Sequence, residues 1–320
     1  MAVEVPEGLL GTVVAIRPRR ALVRVGEREV GCDLRRGLLQ GARLERNRLV
    51  VGDRVRVAVK GDGPAVLLAV LPRETRISRV DSVRPPREHV IAANVDLLLV
   101  LQAIDEPKFN PRGLDRLLVL GEAGGVRCAV VINKIDLGRL DEAEAIGAPY
   151  RRIGYPVLPT CALSGQGIVE LARHLLGRTT ILVGPSGVGK STLLNRLIPG
   201  LQLRTGEISA ATHRGIHTTT RVDHLDLPDG GVVLDTPGLR SVQPWTRPDE
   251  LARHFPEMRP LLGACHFRDC LHRSEPGCAI LAAAASGEIA AARHESYLRI
   301  LTGLMQIEAG EVADLRSERE

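Results

Sequence analysis

Residues 184–191 read Gly184-Pro185-Ser186-Gly187-Val188-Gly189-Lys190-Ser191, continued by Thr192. The pattern G-x-x-x-x-G-K-[ST] constrains the fold because it functions only between a buried strand and a helix. Here the apolar run Ile181–Val183 precedes it and the helical stretch Thr192–Leu197 follows. The glycines let backbone N–H groups curl around phosphate oxygens without Cβ clashes, and the helix dipole adds to the anion field. Lys190 is expected to reach the β/γ oxygens as a catalytic ammonium, and the Ser191 hydroxyl to bind Mg²⁺. Such a strand belongs to a parallel sheet. Val95–Leu101, Cys128–Ile132 and Thr179–Val183 have the length and β-branched content of buried parallel strands. Val157–Thr160, Arg221–Leu227 and Gly231–Leu234 bring the set to six, the pattern of an α/β doubly wound sheet.

The base-reading and switch motifs accompany this loop. Asn133-Lys134-Ile135-Asp136 ends the strand Cys128–Ile132. An Asp carboxylate there accepts guanine N1–H and N2–H₂ together, a donor pair that adenine lacks. Asn133, Lys134 and Asp136 therefore argue for GTP and against an ATP-dependent kinase on the same loop. Cys161-Ala162-Leu163 follows the next strand and has the form of a guanine loop, with the Ala162 N–H directed at guanine O6. Cys161 stands where Ser is usual, which leaves the Ala contact intact and any hydroxyl role open. Asp235-Thr236-Pro237-Gly238 closes the strand Gly231–Leu234 and matches D-x-x-G. Asp235 would hold Mg²⁺ through water, and the Gly238 N–H would sense the γ-phosphate. Between the two phosphate motifs lies Gly215-Ile216-His217-Thr218-Thr219-Thr220, where Thr219 is the expected Mg²⁺-capping hydroxyl.

The order of these motifs is permuted. An ordinary GTPase runs P-loop, switch I Thr, D-x-x-G, N-K-x-D, S-A-x. This chain runs N-K-I-D, C-A-L, P-loop, Thr-Thr-Thr, D-T-P-G. The strands permute with the motifs, Val95–Leu101 standing where the fourth strand belongs, and Ile168–Leu176 with Gly177-Arg178 joins the old termini. The reading is one circularly permuted domain rather than two fragments.

Residues 1–72 look all-β. Alternating runs occur at Gly11–Ile16, Ala21–Val25, Val50–Val59 and Ala65–Leu71, separated by turn residues such as Gly52-Asp53. About five strands in such a length suit an OB-like barrel. An arginine-rich stretch, Arg35, Arg36, Arg43, Arg46 and Arg48, lies between the third and fourth strands and could supply phosphate contacts to RNA. It could equally be a solvated loop, and residues 1–72 contain no aromatic side chain for base stacking. Residues 73–90, polar and rich in Pro and Arg, read as a linker. From about 244 the chain carries Pro, His and Cys, then helical stretches at Ala279–Ala285 and Ile289–Leu304. The expected division is 1–72, an RNA- or ribosome-binding barrel; 73–243, the GTPase; and 244–320, a mostly α metal-binding module.

The net charge of +5 fits an anionic partner, although the basic residues are nearly all Arg. Lys occurs only at 60, 108, 134 and 190, and two of these fall inside nucleotide motifs. The six cysteines, with no charged-then-apolar leader and no apolar run near 18 residues, indicate a reducing cytoplasmic setting and no membrane. Three of them cluster as Cys265-x₄-Cys270-x-His272-x₅-Cys278. Three thiolates and one imidazole suit a tetrahedral structural Zn²⁺, one per chain, with Pro276-Gly277 turning around it. His266 is a rival ligand, but it adjoins Cys265 and the two are poorly placed to chelate together.

A barrel, a permuted GTPase and this Cys/His module together resemble the bacterial ribosome small subunit-dependent GTPase A family over nearly the whole chain. His217-Thr218-Thr219-Thr220, Asp235-Thr236-Pro237-Gly238 and Cys265-His266-Phe267-Arg268-Asp269-Cys270 carry the resemblance. It implies a cytoplasmic factor in late 30S maturation, expected to be a monomer, that binds 16S rRNA and hydrolyses GTP to GDP under stimulation by the small subunit. A nucleotide-gated RNA-binding module with negligible turnover is the rival reading. Leu239 occupies the position after D-x-x-G where many GTPases carry a water-orienting Gln. His217 or a ribosomal group acting in trans is the expected replacement.

Overall fold

The structure, a computed structural model, describes residues 8–17, 20–34, 49–58, 65–81, 86–138, 140–203, 222–235 and 242–310. Strands β1 (Leu9–Arg17), β2 (Arg20–Val25), β3 (Arg28–Asp33), β4 (Arg54–Ala58) and β5 (Ala65–Val70) close into a barrel in the order β1-β2-β3-β5-β4. Every pair is antiparallel except β3 with β5. Period-two alternation fills the barrel: Ala21 and Val23, Val55 and Val57, and Ala65 and Leu67 all point inward and are essentially inaccessible. The run Val50–Val59, read as one strand, breaks at Gly52-Asp53. Asp53 is fully buried there, accepting the Val50 N–H at 2.8 Å and the Arg73 guanidinium at 2.8 Å. The Arg35–Arg48 stretch lies outside the described residues.

Residues 73–90 are not a linker. β6 (Arg76–Asp81) and β7 (Arg87–Ala93) pair antiparallel as a hairpin. Ile77 and the apolar end of β7, Val90–Ala93, are buried, and Arg76 bonds Glu88 across the pair at 2.6 Å. The charged residues that suggested a linker are thus cross-strand partners.

The central sheet has the order β10-β9-β8-β11-β13-β12. Its strands are β8 (Leu97–Ala103), β9 (Arg127–Asn133), β10 (Val157–Pro159), β11 (Thr179–Val183), β12 (Asp223–Asp226) and β13 (Val232–Asp235). All neighbours run parallel except β12, an antiparallel edge strand. Side chains alternate between two cores. Leu98 and Val100 face α1 (Pro111–Ala123) and α2 (Leu140–Arg152), whereas Leu97, Leu99 and Leu101 face α3 (Ile168–Leu175) and α4 (Lys190–Leu197). This is the doubly wound arrangement, and β8, the first of these six strands in the chain, sits beside the P-loop strand β11 as the permuted order requires.

Contacts of three kinds hold the barrel region to the end of β7 and to the edge of the sheet. The Ala93 N–H donates to Val51 O at 3.0 Å, and Asn94 Nδ2 donates to Gly52 O at 2.9 Å. The Arg24 guanidinium meets both carboxylate oxygens of Asp226 on β12 at 2.6 and 2.9 Å. Gly52 has φ +90°, and a Cβ there would lie 2.0 Å from Ala93 O, so only glycine permits this approach.

Beyond the sheet, short 3₁₀ turns at Pro248–His254 and Arg259–Leu261 lead to α5 (Ala279–Ser286) and α6 (Ala291–Glu308). Their core of Leu251, Phe255, Met258, Tyr297 and Leu301 includes Val119 of α1. One buried ion cluster locks this module to the GTPase. Arg293 of α6 donates to Asp115 of α1 at 2.6 Å and to Glu257 at 2.7 Å, with its guanidinium 4.6 Å from the centre of the Phe255 ring. Among the described residues no helix is long and apolar enough to cross a membrane.

Removing Arg293 would leave two buried carboxylates uncompensated. Arg293→Ala should lower unfolding stability by about 3–5 kcal/mol, read from denaturant titration, whereas substitution of exposed Arg299 should change it little.

Candidate nucleotide site and metal centre

The P-loop joins β11 to α4 at the C-terminal edge of the sheet. Val188 is fully buried and anchors the loop from beneath, while Ser186 and Gly187 are exposed at its rim. Gly189 has φ +95°, and a Cβ there would lie 2.5 Å from Asn133 Nδ2. Lys190 folds back across the loop, donating to Gly184 O at 2.8 Å and Pro185 O at 2.6 Å. Its ammonium is therefore already held inside the ring of loop peptides that would meet phosphate. Ser191 lies in the first turn of α4, and Asp235 ends β13 in register with Leu182 of β11. The strand pairing thus brings the Asp235 carboxylate to the same sheet edge as Ser191. His217, Thr219 and Gly238 lie outside the described residues.

Asn133 is the hub of the base site. It is buried to 1% exposure, and its Nδ2 donates to Val188 O of the P-loop at 2.8 Å. Its Oδ1 accepts from the Ala162 N–H and from the Thr160 hydroxyl, both at 3.1 Å. Lys134 adopts φ +58° and its ammonium bonds Glu106 O. Asp136 accepts the Cys161 S–H at 3.0 Å, and Cys161 Sγ in turn accepts the Ser164 N–H at 3.4 Å. The thiol thus fills the bridging position in which a serine hydroxyl was expected. The Ala162 N–H, expected to face guanine O6, is bonded to Asn133 in this structure. A cleft of about 210 Å³ opens between these groups, lined by Asn133, Lys134, Asp136, Ala162, Gly189 and Thr192 among others.

Three contributors were not foreseen. Glu106 uses only its carbonyl, which leaves no trace in side-chain identity. Thr160 ends the apolar run of β10 and reads as one more strand residue. Arg196, on the last turn of α4, donates to Ala162 O at 3.3 Å and also to Leu163 O. No motif marks it.

The Cys/His module brings Cys265, Cys270, His272 and Cys278 together, with their ligand atoms all within 4.8 Å of one another. His272 Nδ1 lies 3.5 Å from Cys265 Sγ and 3.4 Å from Cys278 Sγ, and those two sulfurs are 3.8 Å apart. A tetrahedral ion bonded at about 2.3 Å to sulfur and 2.0 Å to nitrogen requires edges of about 3.8 Å (S···S) and 3.5 Å (S···N). The donor set, and the three edges among Cys265, His272 and Cys278, fit such an ion. Burial keeps the His272 imidazole below its ordinary pKa, in the neutral form that can ligate. His266 is not part of the cluster; its ring packs edge-on against Phe267. The ligand loop is held from both sides. Burial would raise the carboxyl pKa of Glu275, but the Leu271, Arg273 and Ser274 N–H groups at 2.7–3.0 Å override it and hold the value at about 2. From α6, His294 Nε2 lies 3.1 Å from His272 O, and the Tyr297 hydroxyl donates to Leu271 O at 2.8 Å.

The sheet order and this site define a circularly permuted P-loop GTPase with a Cys₃His module. The chain matches the RsgA GTPase family over residues 70–245. It is 41% identical over 261 residues to the small ribosomal subunit biogenesis GTPase RsgA of Gemmatimonas aurantiaca, a match covering 81% of this chain and 85% of that one. For the protein of the same name from Moorella thermoacetica the identity is 43% over 262 residues, covering 81% and 86%. The crystal structure of YjeQ from Thermotoga maritima has a TM-score of 0.73 at 31% identity, covering 93% of this chain and 98% of that one. That of YloQ, described as a circularly permuted GTPase, has a TM-score of 0.70 at 26% identity, covering 95% and 97%. The chain belongs to the RsgA GTPase family.

Asn133→Ala would strand Val188 O and the Ala162 N–H in a buried setting. The expected result is a loss of at least about 2 kcal/mol of stability, together with weaker GDP binding by fluorescence titration.

Proposed function

We propose that this chain hydrolyses GTP to GDP and phosphate in the biogenesis of the small ribosomal subunit, as a cytoplasmic monomer. The observation that carries the reading is the cleft in which Asp136, Asn133 and the guanine loop converge beside the P-loop. Its relatives bear the name of small ribosomal subunit biogenesis GTPases, which supports the 30S subunit as partner; 16S rRNA would be the surface contacted there. Residues 1–72 would supply the RNA-binding barrel, with Arg35, Arg36, Arg43, Arg46 and Arg48 on phosphates; 73–243 the GTPase; and 244–320 the metal module.

In the GTPase, Asp136 selects guanine, and Asn133 holds the base loop against the P-loop. The backbone of 184–189 and Lys190 bind the phosphates. Ser191 and Thr219 would hold Mg²⁺ directly and Asp235 through water; the ion supplies charge neutralisation across the β- and γ-phosphates. Leu239 can neither donate nor accept a hydrogen bond, so the isolated protein has no Gln in that position to orient water. His217, or a group from the subunit, takes that task. Completion of a GTPase site by a partner is worth roughly 10³–10⁵ in rate.

Phosphate release should therefore be slow for the protein alone and rise sharply when purified 30S subunits are added. His217→Ala should lose most of the stimulated turnover while GTP binding stays intact. Turnover that is equally small with and without subunits would favour a nucleotide-gated binding module instead. A mutant stimulated as strongly as the parent would assign water positioning to the subunit.

The Cys₃His donor set and its edge lengths support Zn²⁺ as the structural ion, held by Cys265, Cys270, His272 and Cys278. Metal analysis should find about one Zn²⁺ per chain. Cys270→Ser should lose it and melt the module at a lower temperature, since a structural zinc site contributes folding energy directly.

A further inference from the structure

We infer that Arg196 is a positioning residue for base recognition: from the P-loop helix it holds the guanine loop in the conformation that reads guanine. This rests on the assignment of the cleft at Asn133–Asp136 as the guanine site. The loop runs from Cys161 to Gln166, closed by a bridge between those two residues and by the Gly165 N–H donating to Cys161 O at 2.8 Å. Its inner side faces Asn133 and Asp136 through the Ala162 N–H and the Cys161 thiol. The loop otherwise has little packing: Leu163, at the rim of the cleft, is 69% exposed, and Ser164 and Gln166 are exposed as well.

Arg196 of α4 bonds the backbone of this loop. Its Nε donates to Ala162 O at 3.3 Å and its terminal nitrogen to Leu163 O. Two carbonyls in succession are thereby fixed. A planar guanidinium suits that task because its donors diverge in a fixed fork. These bonds restrain the 162–163 and 163–164 peptides, next to the 161–162 peptide whose N–H donates to Asn133 Oδ1 at 3.1 Å at the wall of the cleft, where a guanine O6 would be met. The contact also joins the two halves of the nucleotide site. Arg196 lies on the same short helix as Lys190 and Ser191, so the segment that binds phosphate also holds the segment that reads the base. None of the P-loop, N-K-x-D or guanine-loop motifs includes this position.

The experiment compares Arg196→Ala, Arg196→Lys and Asp136→Asn with the parent, using a fluorescent GDP analogue displaced by GDP or by ADP. ADP engages the P-loop but lacks guanine O6. Loss of charge-assisted bonds to the loop should weaken GDP binding about tenfold in Arg196→Ala. ADP binding should stay within about twofold, so that discrimination between the bases falls. Arg196→Lys, which can still reach one carbonyl, should recover part of the ratio. Equal weakening of GDP and ADP, or unchanged GDP binding, would overturn the role. Asp136→Asn separates this from the underlying reading. If that variant keeps parental GDP affinity, the guanine-site assignment itself fails; if it loses GDP while Arg196→Ala does not, only the Arg196 inference fails.

Discussion

The nucleotide site depends on one buried carboxamide. Asn133 ties the P-loop, the guanine loop and the end of β10 together, using Nδ2 for one and Oδ1 for the other two. A carboxamide is suited to this because it donates and accepts from one rigid plane, and in a buried setting every one of those bonds must be made. The partners are 55, 29 and 27 residues away in the chain. The bonds constrain positions in space and are indifferent to the order in which the chain visits them. That explains how a permuted sequence keeps the site: the sheet order sets the loops at one edge, and Asn133 locks their spacing.

A second lock acts between modules. Successive positions of α6 face in two directions. Arg293 reaches into the GTPase core to Asp115, while His294 and Tyr297 bind backbone carbonyls of the metal-ligand loop. The Tyr297 ring stacks on His294 and meets Phe255 edge-on. One and a half turns of helix therefore hold the Cys/His loop and the helix α1 in a common frame. A buried ion cluster is a poor source of net stability but a strict specifier of geometry, because any other docking would leave charge unpaired.

Much of this was legible in the sequence because the chemistry of phosphate and base binding fixes residue types at fixed spacings. That the P-loop, Asn133–Asp136 and Cys161–Leu163 would meet at one sheet edge, and that Cys265, Cys270, His272 and Cys278 would cluster, was readable in that way, and so was the permutation. The hairpin β6–β7 was not. Its buried face is short, and its Arg76–Glu88 pair looks in sequence like the charge of a linker. Strand β3, counted but given no bounds, is faint for a similar reason: Cys32 is its only fully buried side chain. Arg196 and Glu106 were invisible because each acts on or through the backbone, and backbone contacts leave no pattern in residue identity. Cys161 shows a different limit. Its departure from serine suggested a lost hydroxyl, yet a thiol can donate and accept along the same path to Asp136 and Ser164.

The pairing of β8 with β11 also governs how the chain can be assembled as it leaves the ribosome. β8 is a central strand, but its β11 partner, Thr180 opposite Leu97, is made about 80 residues later. At roughly 5–20 residues per second, the nascent half-sheet waits on the order of 4–16 s with that edge unpaired. During the wait, α1 already covers one face of β8 and β9, whereas the face later covered by α3 and α4 stays bare. An unpatched apolar edge and face are what chaperones bind and what drives misassociation. Permutation thus leaves the finished site unchanged and moves its cost to the order of synthesis.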